Sequence, residues 1–531
     1  MNVPSAMNPS RILLAFVLCM AAGRLPAADG TPLEIGNQRQ LFLDDLFFAE
    51  KRGITLRVHQ PRKTGEVTIA PDRPWERGGL GPYSSVLWDN GRYHFWYHAM
   101  DSQLWHTSPG AGAICYATSE DGITWQKPDL GLVEYEGSKR NNIVIGHGAA
   151  GLLIGQDGMM VFVDPTAPTG ERLRIVNRFK QKGGDSSGVN IMSSGDGIHW
   201  KMTHQDVITT RADGKIHHLD SQNVMFWDES RQKYVAYLRR NLRETGSQGR
   251  SIARAESPKL GDFPLVQDSP VVFAPEPVDP LHGVSVVDFY NSAAIRYPWA
   301  DRAYFQFPQA YYHYTRKLRE FAKDLPVNAG PMETQLAASR DGIVWERYDR
   351  RPFVALGMKD EFDRHSVRLI YGLVPDRAGR EMYLYYRGSD WLHGWDRNER
   401  NRELLTAQGF GADQNITVLS RLVLRRDGFV SATAGYEPGE FTTPPLKFTG
   451  RRLQLNIDTS ATGIARVACL DADGKPIPGY SLEDCDIIHT ANEINRTVTW
   501  RGSPDLPATG VVRLRIEMRN TDLYAFQFSA N

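Results

Sequence analysis

One seven-residue pattern, Ser-x-Asp-Gly-Ile-x-Trp, occurs three times in this chain of 531 residues. The copies cover residues 119–125, 194–200 and 339–345, so the first step is 75 residues and the second, at 145, is nearly twice as long. A repeat at long, regular spacing constrains a fold more than a local motif does, because each copy marks one equivalent structural unit. We therefore expect a degenerate copy within residues 254–263 and another at residues 425–430, which makes five units.

Each copy is typical of a tight turn between two strands rather than of a catalytic motif. Asp-Gly between apolar runs is a strong hairpin signal, and both turn positions of such a hairpin favour positive φ. The Ser and Asp side chains can bond to nearby backbone groups and stabilise the turn. We expect Trp125, Trp200 and Trp345 to be buried between sheets.

Two further apolar runs precede each turn, so that each unit contains four strands. Five four-stranded sheets in series predict an all-β fold, with a five-bladed β-propeller over residues 29–435. The strand-like runs at residues 41–48 and 54–58 precede the first unit, and we expect them to pad or close the ring.

The pattern changes after Ala434, where short strands follow one another at the spacing of a β-sandwich. We assign residues 440–531 to this C-terminal β-sandwich. Residues 317–324 are the one short helix that we expect.

The N-terminus has the features of a secretory signal over residues 1–28. A basic residue, Arg11, precedes an apolar run that ends at Ala22 and is too short to span a bilayer. We therefore expect a secreted or periplasmic protein without a membrane span. Lys and Arg total 62, as do Asp and Glu, and this balance does not favour nucleic acid as a partner.

Three cysteines follow the signal segment, namely Cys115, Cys469 and Cys485. Cys469 and Cys485 could form a disulfide in an oxidising compartment or stay unpaired. No cysteine has the spacing of a metal site, and we expect neither a metal nor a cofactor.

Candidate catalytic residues are the carboxylates at the entrances of the innermost strands. In a propeller blade these entrances lie on the face opposite the Asp-Gly turns. Glycoside cleavage needs one ionised carboxylate and one protonated carboxyl that gives its proton to the leaving oxygen. The candidates are Glu76, Asp220, Asp288 and Asp363. Each could instead be a capping or salt-bridging acid.

Candidate substrate-binding residues lie between the second and third strands of the units, and at the entrance of the last unit. Aromatic faces beside polar donors suit a hydroxyl-rich sugar ring. Arginine and histidine would bind hydroxyl, sulfate or carboxylate groups of the sugar. The candidates are Asp363, His365, Arg239, Arg387, Trp391, His98 and Tyr311. For each of them, a purely structural role stays open.

The chain resembles the five-bladed β-propeller glycoside hydrolases of the invertase and levanase type, which are similar to the N-terminal domain of glycoside hydrolase family 32 and related to arabinanases and xylosidases. Residues 91–97 resemble the strand of the first blade in that type, and Asp220 with residues 224–228 resembles the segment whose Asp stabilises the transition state. The resemblance implies this role for Asp220, and Asp288 and Glu76 are then the candidates for acid and base.

Three positions depart from the pattern of that type. Residues 79–83 carry no carboxylate where the family has its nucleophile, residues 284–288 replace the family's Glu-Cys acid motif, and Leu219 replaces an Arg. We predict a secreted carbohydrate-active protein, a glycoside hydrolase that acts on a glycan at the funnel of the propeller. The alternatives are a non-catalytic sugar-binding propeller and a structural or protein-interaction propeller.

Overall fold

The computed structural model describes residues 31–100, 112–146, 152–154, 158–181, 188–209, 219, 221–242, 249–279, 285–314, 330–393 and 417–530. These residues form strands and short 3-10 helices, and no α-helix occurs among them. The all-β class predicted from the sequence is therefore confirmed. The predicted helix at residues 317–324 and the predicted signal segment lie outside the described residues. The 3-10 helices are Asp45–Phe47, Pro74–Glu76, Thr169–Glu171 and Val266–Asp268.

The chain divides into two compact units. Unit 1 contains residues 31–57, Trp299–Asp301 and residues 430–530, and unit 2 contains Val58–Pro298 and Arg302–Phe429. The strands of the first 209 residues are β1 (Leu33–Gly36), β2 (Gln40–Leu41), β3 (Glu50–Arg52), β4 (Ile54–Val58), β5 (Arg62–Ile69), β6 (Leu80–Asp89), β7 (Arg92–Met100), β8 (Gly112–Ser119), β9 (Ile143–Ile145), β10 (Leu152–Ile154), β11 (Met160–Val163), β12 (Leu173–Asn177), β13 (Phe179–Gln181), β14 (Gly188–Ser194) and β15 (Lys201–Thr209).

The following strands lie in unit 2 up to residue 425 and in unit 1 after it. The first set is β16 (Val224–Asp228), β17 (Lys233–Asn241), β18 (Arg250–Ser257), β19 (Val271–Phe273), β20 (Ser285–Phe289), β21 (Ile295–Arg296), β22 (Tyr304–Gln306), β23 (Gln309–Tyr314), β24 (Met332–Thr334), β25 (Ala337–Ser339), β26 (Ser366–Leu369), β27 (Val374–Pro375), β28 (Glu381–Ser389) and β29 (Thr417–Arg425). The second set is β30 (Val430–Ala434), β31 (Gly439–Thr442), β32 (Leu446–Phe448), β33 (Arg452–Asp458), β34 (Ile464–Leu470), β35 (Ile488–His489), β36 (Asn492–Thr497), β37 (Val511–Arg519) and β38 (Thr521–Ser529).

Three sheets of unit 2 have four strands each, in the order β6-β7-β8-β9, β11-β12-β14-β15 and β16-β17-β18-β19. Neighbouring strands in them are antiparallel. This consecutive order is the one that the sequence predicts for the blades of a propeller. Later strands join a sheet of order β20-β23-β24-β26-β28-β29-β5 and a smaller sheet β21-β22-β25, and the count of five blades stays a prediction.

The strand that follows β29 in its sheet is β5, from residues far earlier in the chain. The runs that we expected to pad or close the ring lie in unit 1 instead. There β4 is the neighbour of β30, and β2 pairs with β38. Residues 31–57 differ in this way from their predicted place in the propeller, because their strands β1 to β4 find backbone partners among β30, β31, β32 and β38.

Unit 1 contains two sheets whose facing sides form one apolar core. One sheet has the order β1-β32-β37-β31-β3 with β34 and β35 beside it, and the other has the order β36-β33-β38-β30-β4 with β2 beside it. Alternate residues of β37 supply one side of the core, and alternate residues of β33 supply the other. Cys469 and Cys485 are free, buried thiols of this unit, and Cys485 Sγ accepts a hydrogen bond from the backbone of Val467 at 3.3 Å.

The repeated turn has the same hydrogen bonds in all three copies. In the first, the Ser119 hydroxyl accepts the backbone N–H of Gly122 at 2.9 Å, and the Asp121 carboxylate accepts those of Ile123 and Thr124 at 2.8 Å each. Among the turn residues only the glycine has a positive φ, which is +71° at Gly122. The expectation of positive φ at both positions is therefore wrong, because the Asp side chain bonds the following backbone from an ordinary conformation.

The three tryptophans of the repeat are half-buried, not buried between sheets as expected. Each packs edge-on against another aromatic ring: Trp125 against Phe95 with 5.1 Å between ring centroids, Trp200 against Trp96 at 6.3 Å, and Trp345 against Tyr237 at 5.9 Å. A turn lies at the surface, so an indole that covers the edge of the core keeps part of its own surface in solvent.

The turns also lead to different next strands. The second copy joins β14 directly to β15, as a hairpin does. The first and third copies close on single bridges, Thr118 with Gln126 and Ala338 with Glu346, and β9 begins only at Ile143. The predicted copy at residues 425–430 is followed by β30 of unit 1 and not by a strand of its own sheet.

Candidate active site

Asp288 occupies the fully buried centre of the site, on β20 directly opposite Tyr311 on β23. Its Oδ2 accepts hydrogen bonds from Nη1 of Arg250 at 2.7 Å and from Nε2 of His313 at 2.8 Å. Burial disfavours the charge, but the hydrogen bonds and charges of His313 and Arg250 outweigh it and lower the pKa of Asp288 to about 2. Asp288 is therefore ionised at neutral pH and does not act as a proton donor.

The ring of Tyr290, which follows β20, is surrounded by three guanidinium groups. The guanidinium carbons of Arg250, Arg368 and Arg239 lie 4.9, 5.4 and 5.5 Å from the ring centroid. All three arginines are buried, with exposed fractions between 4% and 6%. Guanidinium groups at this distance are attracted by the aromatic ring and oriented by it.

Two more rings complete this group. The His393 ring lies 5.1 Å from the Tyr290 ring and 4.8 Å from the Tyr311 ring, and Nδ1 of His393 lies 2.8 Å from Nη2 of Arg368. We call the set Arg239, Arg250, Tyr290, Tyr311, Arg368 and His393 the arginine–tyrosine cluster. Its members come from β17, β18, β23 and β26 and from the residues after β20 and β28, so only tertiary folding assembles it.

Asp390 lies just after β28 and three residues before His393. Its Oδ1 is buried and has no hydrogen-bond partner among the described residues, and its Oδ2 lies 3.9 Å from Nη2 of Arg364. Burial raises the pKa of Asp390, against the opposing effect of Arg364. The backbone carbonyl of Asp390 accepts a hydrogen bond from Nδ1 of His365, whose own pKa is lowered by burial.

Glu76 is fully buried at the end of a 3-10 helix, and its carboxylate is completely bonded. It accepts hydrogen bonds from the Tyr97 hydroxyl at 2.6 Å and from the backbone of Asp72 and Arg73, and it lies 2.8 Å from Nζ of Lys127. Burial raises the pKa of Glu76, against the opposing effect of Lys127. No hydrogen bond or ion pair among the described residues links Glu76 to Asp288.

Asp363 is also buried and paired, in a different place from Asp288. Its Oδ2 lies 2.7 Å from Nζ of Lys63 on β5 and accepts a hydrogen bond from the Tyr386 hydroxyl at 2.9 Å. Lys63 belongs to the strand that completes the last sheet of unit 2. The contacts of Asp363 therefore link β5 to β28 across the intervening strand β29.

The predicted binding residues lie on strands more often than on the loops where we expected them. Tyr311 lies on β23, Arg239 on β17 and Arg387 on β28, where it is directly opposite Arg368. Nε of Arg387 donates to the carbonyl oxygen of Leu80 at 2.7 Å. These residues lie on strands because β17 and β28 extend beyond the apolar runs from which the sequence predicted them, and β23 begins after such a run.

His98 and Trp391 are the remaining predicted binding residues. His98 is 2% exposed on β7, and a Cβ added at Gly81 or Gly112 would approach its ring nitrogens to 2.2 Å. Burial, followed by the charge of Arg387, lowers the pKa of His98 to about 4. Trp391 is half-buried next to Asp390, and its indole Nε1 has no hydrogen-bond partner among the described residues.

Asp220 lies outside the described residues, so its predicted role stays a prediction. Of the other predicted residues, the structure brings Asp288, Tyr311 and Arg239 to one place. Arg250, Tyr290 and Arg368 were not predicted, since nothing near them in the sequence distinguishes them from ordinary strand residues. A strand position that places Arg among apolar neighbours, such as Arg368 in Ser-Val-Arg-Leu, is the one signal that could have indicated them.

The described residues contain no group of three or more His, Cys, Asp or Glu side chains placed to hold a metal ion. Across the same ranges, no helix has the length and apolar character needed to cross a membrane.

The chain matches no protein-family model, and no curated protein is similar to it. Among solved structures it is similar to a thermostable family-43 glycoside hydrolase, with 13% identity over 67% of this chain and 93% of that chain and a TM-score of 0.41. It is also similar to an N-acetylgalactosamine deacetylase from F. plautii in complex with blood group B trisaccharide, with 12% identity over 70% of this chain and 96% of that chain and a TM-score of 0.43. A glycosyl hydrolase from Bacteroides ovatus is 16% identical over 76% of this chain and 96% of that chain, with a TM-score of 0.38.

The resemblance to the invertase and levanase type stays a prediction beside these likenesses.

Proposed function

We propose that this protein is a carbohydrate-active enzyme that hydrolyses a glycosidic bond beside the arginine–tyrosine cluster. The observation that carries the proposal is the pair Asp288 and Asp390. Their pKa values are shifted in opposite directions, and both carboxyl groups belong to segments that contact the Tyr290 and Tyr311 rings. Glycoside hydrolysis requires one ionised carboxylate and one carboxyl group that gives a proton, and these opposite shifts favour that division of roles.

Asp390 is the proposed proton donor. Its carboxyl group is partly desolvated and has one oxygen without a partner, so its protonated form is favoured more than that of an exposed Asp. Asp288 is the proposed ionised carboxylate, because Arg250 and His313 hold its charge. Asp220 stays a further candidate for the charge that faces the transition state.

Two other carboxyl groups with raised pKa values are poorer candidates. Glu76 is bonded to Lys127, Tyr97 and two backbone N–H groups, and we assign it a structural role. Glu333 accepts a hydrogen bond from the Tyr312 hydroxyl at 3.2 Å. Successive side chains of a strand point to opposite faces, so Tyr312 directs this contact away from the face that Tyr311 and His313 share.

The aromatic and polar groups beside these acids fit a sugar ring. Tyr290, Tyr311 and His393 present ring faces and edges, and the arginines supply several N–H donors. A pyranose has C–H groups on its faces and hydroxyl groups at its rim, which match aromatic carbon and polar donors respectively.

A screen of glycan hydrolysis with the purified full chain tests the proposal, followed by comparison of wild type with Asp390→Asn and Asp288→Asn. Loss of a general acid typically lowers turnover by about 10²–10⁴-fold. Asp390→Asn should lose much less on an aryl glycoside whose leaving group needs no proton. Glu76→Gln is the matched control and should keep the wild-type turnover. Equal loss on both substrate types would contradict the role of Asp390.

A non-catalytic sugar-binding protein is the second candidate. It is favoured by the ion pairs of the three candidate acids among the described residues, which are Glu76 with Lys127, Asp288 with Arg250 and Asp363 with Lys63. Binding of a glycan on an array without any release of reducing ends would support this candidate and contradict hydrolysis.

We also propose that residues 1–28 are a signal segment and that the protein is secreted or periplasmic. Arg11 and the apolar run up to Ala22 support this proposal. Expression of the full chain in a secreting host and mass measurement of the N-terminal peptide test it. A mature N-terminus near Asp29 is expected, whereas a retained Met1 in the cytoplasm would contradict it.

A further inference from the structure

We propose that the glycan which this site accepts carries an anionic group, a carboxylate or a sulfate, and that Arg368 binds this group beside the Tyr290 ring. The inference rests on the proposed function, because it names the class of substrate for the same site. Three features of the described residues carry it.

The first feature is the unbalanced charge of Arg368. Only 4% of Arg368 is exposed, and its Nε is buried without a hydrogen-bond partner. Its Nη2 donates to Nδ1 of His393 at 2.8 Å, and since a guanidinium cannot accept, that nitrogen must be unprotonated. Among the described residues, no carboxylate forms an ion pair with Arg368. A buried cation in this state is unfavourable until an anion pairs with it.

The second feature is that further positive charge lies close to Arg368. Arg387 lies directly opposite Arg368 on the neighbouring strand, and like charges at facing positions repel each other. Arg250 contacts the same Tyr290 ring at 4.9 Å and is paired with Asp288. That carboxylate is already shared with His313, so it does not balance Arg368.

The third feature is the geometry of the donors. A guanidinium presents parallel N–H groups that fit the two oxygens of a carboxylate or sulfate, and the Tyr290 ring orients the guanidinium groups of Arg250 and Arg368. The chain as a whole is balanced, with 62 basic and 62 acidic residues. Among the described residues, several arginines around one ring in a protein without net charge suit one charged substituent on a sugar rather than a polyanionic nucleic acid.

The decisive experiment measures the affinity of the purified full chain for matched galacto-oligosaccharides that are unmodified, oxidised at C6 to the carboxylate, or sulfated at C6. In parallel, the melting temperature is measured in sodium sulfate, in sodium galacturonate and in sodium chloride of equal ionic strength. The oligosaccharide arms distinguish the carboxylate from the sulfate. The salt arms detect the anion site even where galactose is not the preferred sugar.

Arg368→Met removes the charge with little loss of volume, and Arg368→Lys keeps the charge but loses the fork of donors. We expect the wild type to prefer one anionic oligosaccharide, or to be stabilised by one anion, and Arg368→Met to lose this preference by at least about tenfold. Arg368→Lys should be intermediate. Arg368→Met should also melt no lower than the wild type in chloride, because it removes an uncompensated buried charge.

Arg174→Met is the matched control. Arg174 is equally buried but is paired with Asp164 at 3.1 Å, so its loss should lower the melting temperature without changing any anion preference. An Arg368→Met variant that melts as low as Arg174→Met, or that keeps the anion response of the wild type, would overturn the inference. A wild type without any anion response in either arm would overturn it as well.

The outcomes for this inference and for the proposed function are separable. Arg368-dependent binding of an anionic oligosaccharide without any hydrolysis supports the anion site and contradicts the hydrolase. Hydrolysis of neutral glycans with no effect of Arg368→Met supports the hydrolase and overturns the anion site.

Discussion

The hydroxyl group of Tyr237 on β17 donates a hydrogen bond of 2.7 Å to the carbonyl oxygen of Gly342, in the repeated turn that follows β25. The other two turns receive equivalent bonds: Trp96 Nε1 donates to Gly197 at 2.7 Å, and the Tyr385 hydroxyl donates to Gly122. In each case the donor lies on a strand of a different sheet from the strand that leads into the turn. The turn that the sequence repeats is therefore a contact between neighbouring sheets of unit 2 as well as a link between strands.

Tyr237→Phe should lower the free energy of unfolding by about 1–2 kcal/mol, because it leaves the buried carbonyl of Gly342 without its partner while keeping the ring. Chemical denaturation followed by fluorescence measures this change. Tyr436→Phe is the control, since Tyr436 is 69% exposed and its hydroxyl has no such contact to lose. A Tyr237→Phe variant as stable as the control would show that the contact between units contributes nothing.

Gly197→Ala and Gly91→Ala form a second matched pair. Both glycines have a positive φ, +78° and +76°, but an added Cβ would lie 2.5 Å from Cζ2 of Trp96 at Gly197 and would meet nothing within 4 Å at Gly91. Gly91→Ala should cost about 1 kcal/mol from backbone strain alone. Gly197→Ala should cost about 1–3 kcal/mol more, because the Trp96 ring must move. Equal losses in thermal unfolding would contradict the close packing of turn and ring.

The stability of the protein should depend on Asp288 in acid. The pKa of Asp288 in the folded chain, about 2, lies below its ordinary value of 3.8. At pH values above about 4, the ionised group therefore contributes about 2 kcal/mol to the free energy of unfolding. This contribution is lost as the pH falls from about 4 to about 2. The difference in unfolding free energy between wild type and Asp288→Asn should shrink over this range. A difference that stays constant from pH 5 to pH 2 would contradict the assignment.

Glu76→Gln should destabilise the protein without affecting turnover. Loss of one partner of a buried ion pair leaves Lys127 poorly compensated and typically costs about 3–5 kcal/mol, although Asp72, at 2.7 Å from Lys127 Nζ, reduces this cost. Calorimetric melting and a turnover assay on the substrate from the hydrolysis screen measure both effects. Lost turnover in a normally melting Glu76→Gln variant would restore Glu76 as a catalytic candidate.

Much of the fold follows from patterns that are local in sequence. Asp-Gly turns between alternating apolar runs specify antiparallel neighbours, and the three sheets from β6 to β19 have the consecutive strand order that this implies. The pairing of strands that are far apart in the chain was harder to predict from the sequence. Whether residues 54–58 or residues 62–69 complete the last sheet of unit 2 depends on which edge strand offers free backbone groups, and both runs have similar local propensities.

The sequence likewise predicted one part of the candidate site and not another. The sequence by itself placed Asp288 within a strand of a repeat unit that also contains Tyr311, and β20 pairs with β23 so that Asp288 faces Tyr311. It did not determine that Glu76 would be bonded to Lys127, since ion pairing depends on side chains that are 51 residues apart.

Only the tertiary structure decided which charges meet. Arg250, Arg368 and Tyr290 come from segments far apart in the chain, and each alone resembles an ordinary strand or loop residue. Burial then gives their contacts a strength that exposed groups lack, because the protein interior screens charge less than water does. The repeat in the sequence specifies the repeated turns and the strands beside them. The chemistry of the site depends on side chains from different sheets of unit 2 that come together only after folding.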